Sequence, residues 1–187
     1  AAIAMVRRNA EKWHIDSSKI AVMGYSAGGH LAGTVGTLWN SPLVRETLQI
    51  PSGEDRPDGM ILGYPVITSG AYTHEDSIKF LLGEDRYQDE KEREKVSVEK
   101  LVNHDTPKAF LWHTFEDDLV PVENTLKMAD ALRKAGVLFE MHIYPHGPHG
   151  LAICDETTVD VKENLNPYAA YVSSWVEHCI RWIREVL

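Results

Sequence analysis

The chain lacks most of the features that mark a membrane, nucleic-acid-binding or disulfide-built protein. Its 187 residues include two cysteines, Cys154 and Cys179, and their spacing matches no metal or redox motif. No apolar run approaches the roughly 20 residues of a membrane-spanning helix, so no membrane partner is expected. Nineteen Lys and Arg stand against 28 Asp and Glu, a net charge of −9, and no basic cluster is interleaved with aromatics. That composition excludes nucleic acid as the expected partner. Internal repeats and linkers are missing as well, which leaves one domain or part of one. The chain also lacks an initiator methionine, and Ala1 to Ala10 already reads as the middle of a helix.

What is present begins with Gly24-Tyr25-Ser26-Ala27-Gly28, set between an apolar run, Lys19–Met23, and a helix-like run, His30–Val35. This is G-x-S-x-G in the strand, sharp turn, helix context that gives the pattern chemical meaning. The turn strains the serine and exposes its Oγ, so small residues must flank it. A Cβ at Gly24 or Gly28 is expected to collide with the strand or helix. The helix that follows aims its N-terminus, with the Ala27 N–H, at an oxyanion forming on a substrate carbonyl.

A serine nucleophile needs a base, and the base needs an orienting acid. The strand-like segment 109–114 runs into Phe115-Glu116-Asp117-Asp118-Leu119-Val120-Pro121, and the alternating segment 139–144 ends in Pro145-His146-Gly147-Pro148-His149-Gly150. Loops at the C-terminal ends of strands are where open α/β sheets place their chemistry. For the acid, Asp118 competes with Asp117. For the base, His146 competes with His149, which Gly150 would let bend back toward the serine. His113 and His142 lie inside strand-like runs and read as structural histidines. His30 reads as packing or capping locally.

The runs 24–32, 117–124 and 146–151, with Gly63-Tyr64-Pro65-Val66-Ile67, resemble the α/β hydrolases, and within them the acetyl esterase and lipase-like carboxylesterases, including the xylan or sugar esterases. The resemblance covers nearly the whole chain. It implies Asp117 as the acid, from the Asp-x-x-Val-Pro pattern, and His149 as the base, from the final His-Gly. It also implies an α/β fold with a mostly parallel sheet flanked by helices. A whole member places several strands and a His-Gly-Gly-Gly type oxyanion loop before the elbow, and nothing of that kind precedes Ser26. Residues 1–187 are therefore expected to be the C-terminal portion of one such domain, without its N-terminal strands and without the second oxyanion donor. A homo-oligomer through the unpaired edge of the elbow strand is then one expected assembly. The expected location is the cytoplasm, with secretion left open by the start of the chain.

Along the chain, helices are expected at 1–14, from the elbow to Leu38, at Leu43–Leu48, through Leu82, at Ser97–Val102, at 122–135 and from Asn166-Pro167 onward. Strands are expected at 19–23, 59–64, 109–114 and 138–144. The span 68–106 shows no strand pattern and reads as a small cap-like insertion. The charged run Glu84–Lys95 reads as one solvated helix with i,i+4 pairs. Cys179 falls with Val172, Trp175, Val176, Ile180 and Ile183 on one apolar helix face, as a small hydrophobe, a bridge to Cys154 staying open.

The expected activity is hydrolysis of short acyl esters, acetylated sugars foremost, through an acyl-serine, with Ser26, Asp117 and His149 catalytic, Ala27 at the oxyanion and neither cofactor nor metal. Three rivals remain: a prolyl-oligopeptidase-type peptidase, a hydrolytic metal site of His142, His146 and His149, and a non-catalytic hydrolase scaffold.

Overall fold

A computed structural model of the protein describes residues 1–155, 158 and 169–187. Among the described residues, four strands, β1 (Ala21–Tyr25), β2 (Gly59–Gly63), β3 (Lys108–Thr114) and β4 (Phe139–Tyr144), form one parallel sheet in the order β1-β2-β3-β4. Met23 sits opposite Ile61, Ile61 opposite Phe110, and Leu111 opposite Met141. Each crossover carries helices: α3 (Ala27–Leu38) and α4 (Pro42–Leu48) after β1, four short helices after β2, and α9 (Glu123–Lys134) after β3.

The central strands are apolar at nearly every position because both faces of the sheet are covered. Period-2 alternation then sorts their side chains into two cores. Met60, Leu62, Ala109 and Leu111 pack with Ala32 of α3 and Met128 and Leu132 of α9. Ile61, Phe110 and Trp112 pack on the opposite face with Val172 of α10 (Ala169–Val172) and with Trp175, Cys179 and Trp182 of α11 (Ser174–Glu185). Ile180 is 44% exposed, contrary to its expected place on that apolar face. The buried residues Trp175, Cys179 and Trp182 recur at helical spacing, and Ile180, one residue past Cys179, turns about 100° away. Asn166-Pro167, the expected start of this helix, lies outside the described residues. Both thiols are buried and free. Burial pushes Cys154 up to about 12 and Cys179 up to about 11, so neither is a nucleophile at neutral pH.

Local differences from expectation have local causes. Instead of one helix over 1–14, α1 (Ala2–Arg8) and α2 (Ala10–Trp13) meet at Asn9, whose Nδ2 donates to Met5 O at 2.8 Å. A side-chain donor that caps its own preceding turn competes with helix continuation. The elbow strand starts at Ala21 rather than Lys19, because its ladder begins where Asp58 arrives. Asp58 N donates to Ile20 O (2.7 Å), Ile20 N donates to Asp58 Oδ2 (2.9 Å), and Arg7 holds that same oxygen at 2.6 Å.

The span 68–106 contains α5 (Glu75–Leu82), α6 (Glu84–Tyr87), α7 (Glu90–Glu94) and α8 (Val98–Leu101) and no strand. The single charged helix expected at Glu84–Lys95 is two, divided where the Asp89 carboxylate accepts from Lys91 N at 2.9 Å. Its ion pairs are Lys95–Glu92, spaced i,i+3, and Lys100–Glu94, not the i,i+4 pattern. Ile78 and Leu82 of α5 anchor this region on Val66 and Val120, beneath the loops that follow β2 and β3.

Candidate active site

The elbow is built by sterics. β1 ends at Tyr25, α3 begins at Ala27, and the residue between them, Ser26, has φ 53° and ψ −124°. A non-glycine residue so far from the allowed basins stores strain that its surroundings must offset. Those surroundings are backbone: Ser26 N donates to Gly63 O at 3.1 Å, and Val66 N donates to Ser26 O at 3.0 Å. Strand and helix approach so closely that a Cβ on Gly24 would lie 2.0 Å from Gly28 O. The collision expected at Gly28 does not occur, since a Cβ there meets nothing within 4 Å. The second tight glycine is Gly29, where a Cβ would lie 2.6 Å from Cβ of Pro65. The helix thus packs on the loop after β2 one residue later than the motif alone suggests.

The candidate acid and base arrive from the far side of the sheet. Ser26 Oγ donates to His149 Nε2 at 2.8 Å, and His149 Nδ1–H donates to Asp117 Oδ2 at 2.7 Å. The Asp117 side chain is fully buried, and that of His149 is 14% exposed. Burial alone would push the Asp117 carboxyl up. Hydrogen bonds from His113, His149 and the Val120 N–H overcome it and hold the group well below the usual carboxylate range. Gly150 has φ +87°, a left-handed bend that glycine adopts without cost and that follows directly on His149. Ala27 is the first residue of α3, where N–H groups have no intrahelical acceptor, next to Ser26.

The competing residues go elsewhere. Asp118 is exposed. His146 Nδ1 meets Glu116 Oε1 at 2.8 Å, and His142 Nε2 meets Glu140 Oε1 at 2.8 Å while its ring stacks on His178, centroids 4.5 Å apart. His142, His146 and His149 therefore take three different carboxylates and do not converge on one point. His30 Nε2–H donates to Val96 O at 2.8 Å, a link from α3 to the loop before α8.

Two contributors escaped the sequence reading. His113 is fully buried and reaches Asp117, and Tyr64, at φ 34°, lays its ring against His149 at 4.8 Å. The Tyr64 hydroxyl accepts from Ala152 N at 3.0 Å, holding the loop that carries His149. Neither shows a local signal, because each acts through a residue distant in sequence.

A cavity of about 330 Å³ opens beside Ala27, walled by Leu31 and Thr34 of α3, Ile78 and Leu81 of α5, and Val96. Its lining is mainly apolar. A larger cleft of about 630 Å³ lies among charged residues including Glu99, Lys127, Asp130 and Lys134, and none of Ser26, Asp117 or His149 lines it. Among the described residues, no three His, Cys, Asp or Glu side chains are grouped to hold a metal ion, and no helix is long and apolar enough to cross a membrane.

The fold has known counterparts. Among curated proteins, the chain is 40% identical over 155 residues to an endo-1,4-beta-xylanase B of Butyrivibrio fibrisolvens, covering 83% of this chain and 24% of that protein. It is 36% identical over 149 residues to an acetylxylan esterase of Xylanibacter ruminicola, covering 78% and 28%. The structure superposes on the acetyl ester-xyloside bifunctional hydrolase of Caldicellulosiruptor lactoaceticus with a TM-score of 0.78 and 40% identity, covering 99% of this chain and 63% of that one. On the carboxylesterase Cest-2923 of Lactobacillus plantarum the TM-score is 0.79 with 28% identity, covering 98% and 64%. The chain thus spans about a quarter of the curated relatives and under two thirds of these solved structures. The BD-FAE family matches residues 1–132, the stretch that holds the elbow and the Asp117 turn. The chain has the α/β-hydrolase fold and belongs to the BD-FAE family.

Proposed function

We propose that the protein hydrolyses short acyl esters, acetylated sugars in particular, through an acyl-serine intermediate. The observation that carries this reading is the unbroken line Ser26 Oγ, His149, Asp117, with contacts of 2.8 and 2.7 Å at a strained elbow. As Ser26 Oγ attacks the ester carbonyl carbon, its proton passes to His149 Nε2, and the carbonyl oxygen becomes an oxyanion that accepts from the Ala27 N–H. Asp117 holds the Nδ1–H tautomer and stabilises the imidazolium without taking its proton. Collapse of the tetrahedral species breaks the bond to the alcohol, which leaves with the proton from His149. Water then attacks the acyl-serine by the same route and releases the carboxylic acid and free Ser26.

The apolar cavity beside Ala27 suits the acyl side of the substrate better than the alcohol side, since sugar hydroxyls placed there would lose water without gaining partners. Acetate fits with room to spare. The names of the two relatives that act on acetyl esters support the acetyl and sugar parts of the reading. The test is acetate release from acetylated xylo-oligosaccharides, measured beside p-nitrophenyl acetate and a peptide anilide. Faster turnover of the anilide would replace this reading with a peptidase.

A further inference from the structure

The Asp117 carboxylate accepts more donors than a serine, histidine and aspartate relay requires. Its Oδ1 takes the N–H groups of Leu119 (3.1 Å) and Val120 (2.9 Å), and its Oδ2 takes His149 Nδ1. A fourth donor comes from inside the protein. His113 Nε2 lies 3.2 Å from Asp117 Oδ2 and 2.9 Å from Val120 O, while His113 Nδ1 lies 2.7 Å from Thr125 Oγ1. His113 and Thr125 are fully buried, as is the Asp117 side chain. We propose that His113 is a positioning residue of the active site, whose Nε2–H fixes the Asp117 oxygen that orients His149. The proposal rests on the catalytic reading of Ser26, Asp117 and His149.

The chemistry of the partners assigns the proton. Val120 O and an ionised Asp117 Oδ2 are acceptors only, so Nε2 must carry hydrogen. Thr125 then completes the pattern by donating its hydroxyl to Nδ1, which defines one tautomer and one ring orientation. The ring is clamped at three points: β3 carries its backbone, the Asp117 turn takes its N–H, and the first turn of α9 supplies Thr125.

The shared geometry has a consequence for catalysis. Because the Nε2–H is split between two acceptors and lies nearer to Val120 O, its bond to Asp117 is a weak one. Oδ2 therefore keeps capacity for His149. When His149 becomes an imidazolium, the 2.7 Å bond can tighten while the His113 contact keeps the oxygen from swinging toward the exposed turn. A buried carboxylate with a mobile second oxygen would spend part of its time misaligned, and misalignment falls on kcat rather than on binding. A histidine that served only to fill the turn would instead affect stability.

The test compares His113→Phe, which keeps a ring without a donor, with His113→Gln, whose amide N–H can take the place of Nε2–H. Each is measured with p-nitrophenyl acetate in the full protein, alone and in an Asp117→Ala background, beside melting temperature and a Ser26→Ala control. Loss of this weak, shared hydrogen bond predicts that His113→Phe lowers kcat about three- to ten-fold, with KM changed less than about twofold. His113→Gln should recover most of that loss. In the Asp117→Ala background, His113→Phe should change kcat less than about twofold, because its route of action is gone. Equal losses in both backgrounds, or a His113→Gln variant no better than His113→Phe, overturn the proposal. Should His113→Phe fail to fold, Thr125→Val releases the ring at Nδ1 and is expected to lower kcat several-fold at unchanged KM; unchanged kcat there overturns the proposal equally. Activity that survives Ser26→Ala would instead sink the catalytic reading of the triad, and the positioning role with it.

Discussion

The two ends of the proposed catalytic line are held by different physics. At the elbow, Ser26 is fixed by backbone: a φ of 53°, a glycine that cannot bear a Cβ, and hydrogen bonds from main chain to main chain. At the acid turn, Asp117 is fixed by polar saturation, with two main-chain and two imidazole N–H donors around a buried carboxylate. A nucleophile must be rigid and naked, so steric confinement suits it. A buried charge must be solvated by something, so donors suit it. The comparison teaches that the serine end should tolerate side-chain changes but not backbone changes, and the acid end the reverse.

Several experiments would break or sharpen that contrast. The largest effect belongs to Ser26→Ala, which should lower kcat by about 10⁶ while leaving the melting temperature nearly unchanged, since Oγ contributes nothing to the frame that strains it. His149→Ala should be close to as severe, and the double variant no worse than either alone. Additive losses measured by steady-state kinetics would separate the two residues.

Asp117→Asn should lower kcat by about 10⁴ through loss of the correct His149 tautomer. Asp118→Asn, on an exposed side chain, should lie within about threefold of wild type on the scale where 1.4 kcal/mol is tenfold. The reverse order would move the acid by one residue and leave the elbow untouched.

The backbone side of the comparison is tested with glycines. Gly24→Ala forces a Cβ to 2.0 Å from Gly28 O and should destabilise by about 3 kcal/mol or more, in the upper range of overpacking. Gly28→Ala meets open space, sits in the first turn of α3 and should be neutral or stabilising by up to about 1 kcal/mol. Equal melting temperatures for the two variants would contradict the steric account of the elbow.

The smallest effect concerns acid. With the Asp117 carboxyl held below its usual range in the folded protein, its ionisation adds stability at every pH above the unfolded value of about 4. That contribution drains away as pH falls further toward the folded value. The difference in melting temperature between wild type and Asp117→Asn should therefore stay level from pH 5 to 8 and shrink below about pH 4. A difference that grows on acidification would reverse the sign of the linkage.

How much of this was legible in advance follows from how local each cause is. The elbow was readable because its requirements sit within five residues between an apolar strand and a helix. The α/β architecture and the strand-free span 68–106 were readable because fully covered strands show as unbroken apolar runs. The break at Asn9, the two-residue shift of the elbow strand and the split at Asp89 were not. Each depends on one side chain finding a main-chain partner, and periodicity carries no trace of that. Gly28 was taken for the crowded glycine because the motif names it, whereas the crowding arises at Gly29 from Pro65, across the crossover to β2. His113 read as a structural histidine inside a strand, and its contact with Asp117 became visible only once the turn had folded back over β3.

The strand order has a consequence for how the molecule matures. Within the described sheet β2, β3 and β4 each pair with the strand before them, so these pairings can form in chain order, an arrangement that favours stepwise assembly during synthesis. The contact between Ser26 and His149 spans 123 residues and closes only after β4 is laid down. Secondary structure should therefore return early in refolding and the proposed hydrolytic turnover late, which makes the appearance of activity a clock for the docking of His149 on Ser26.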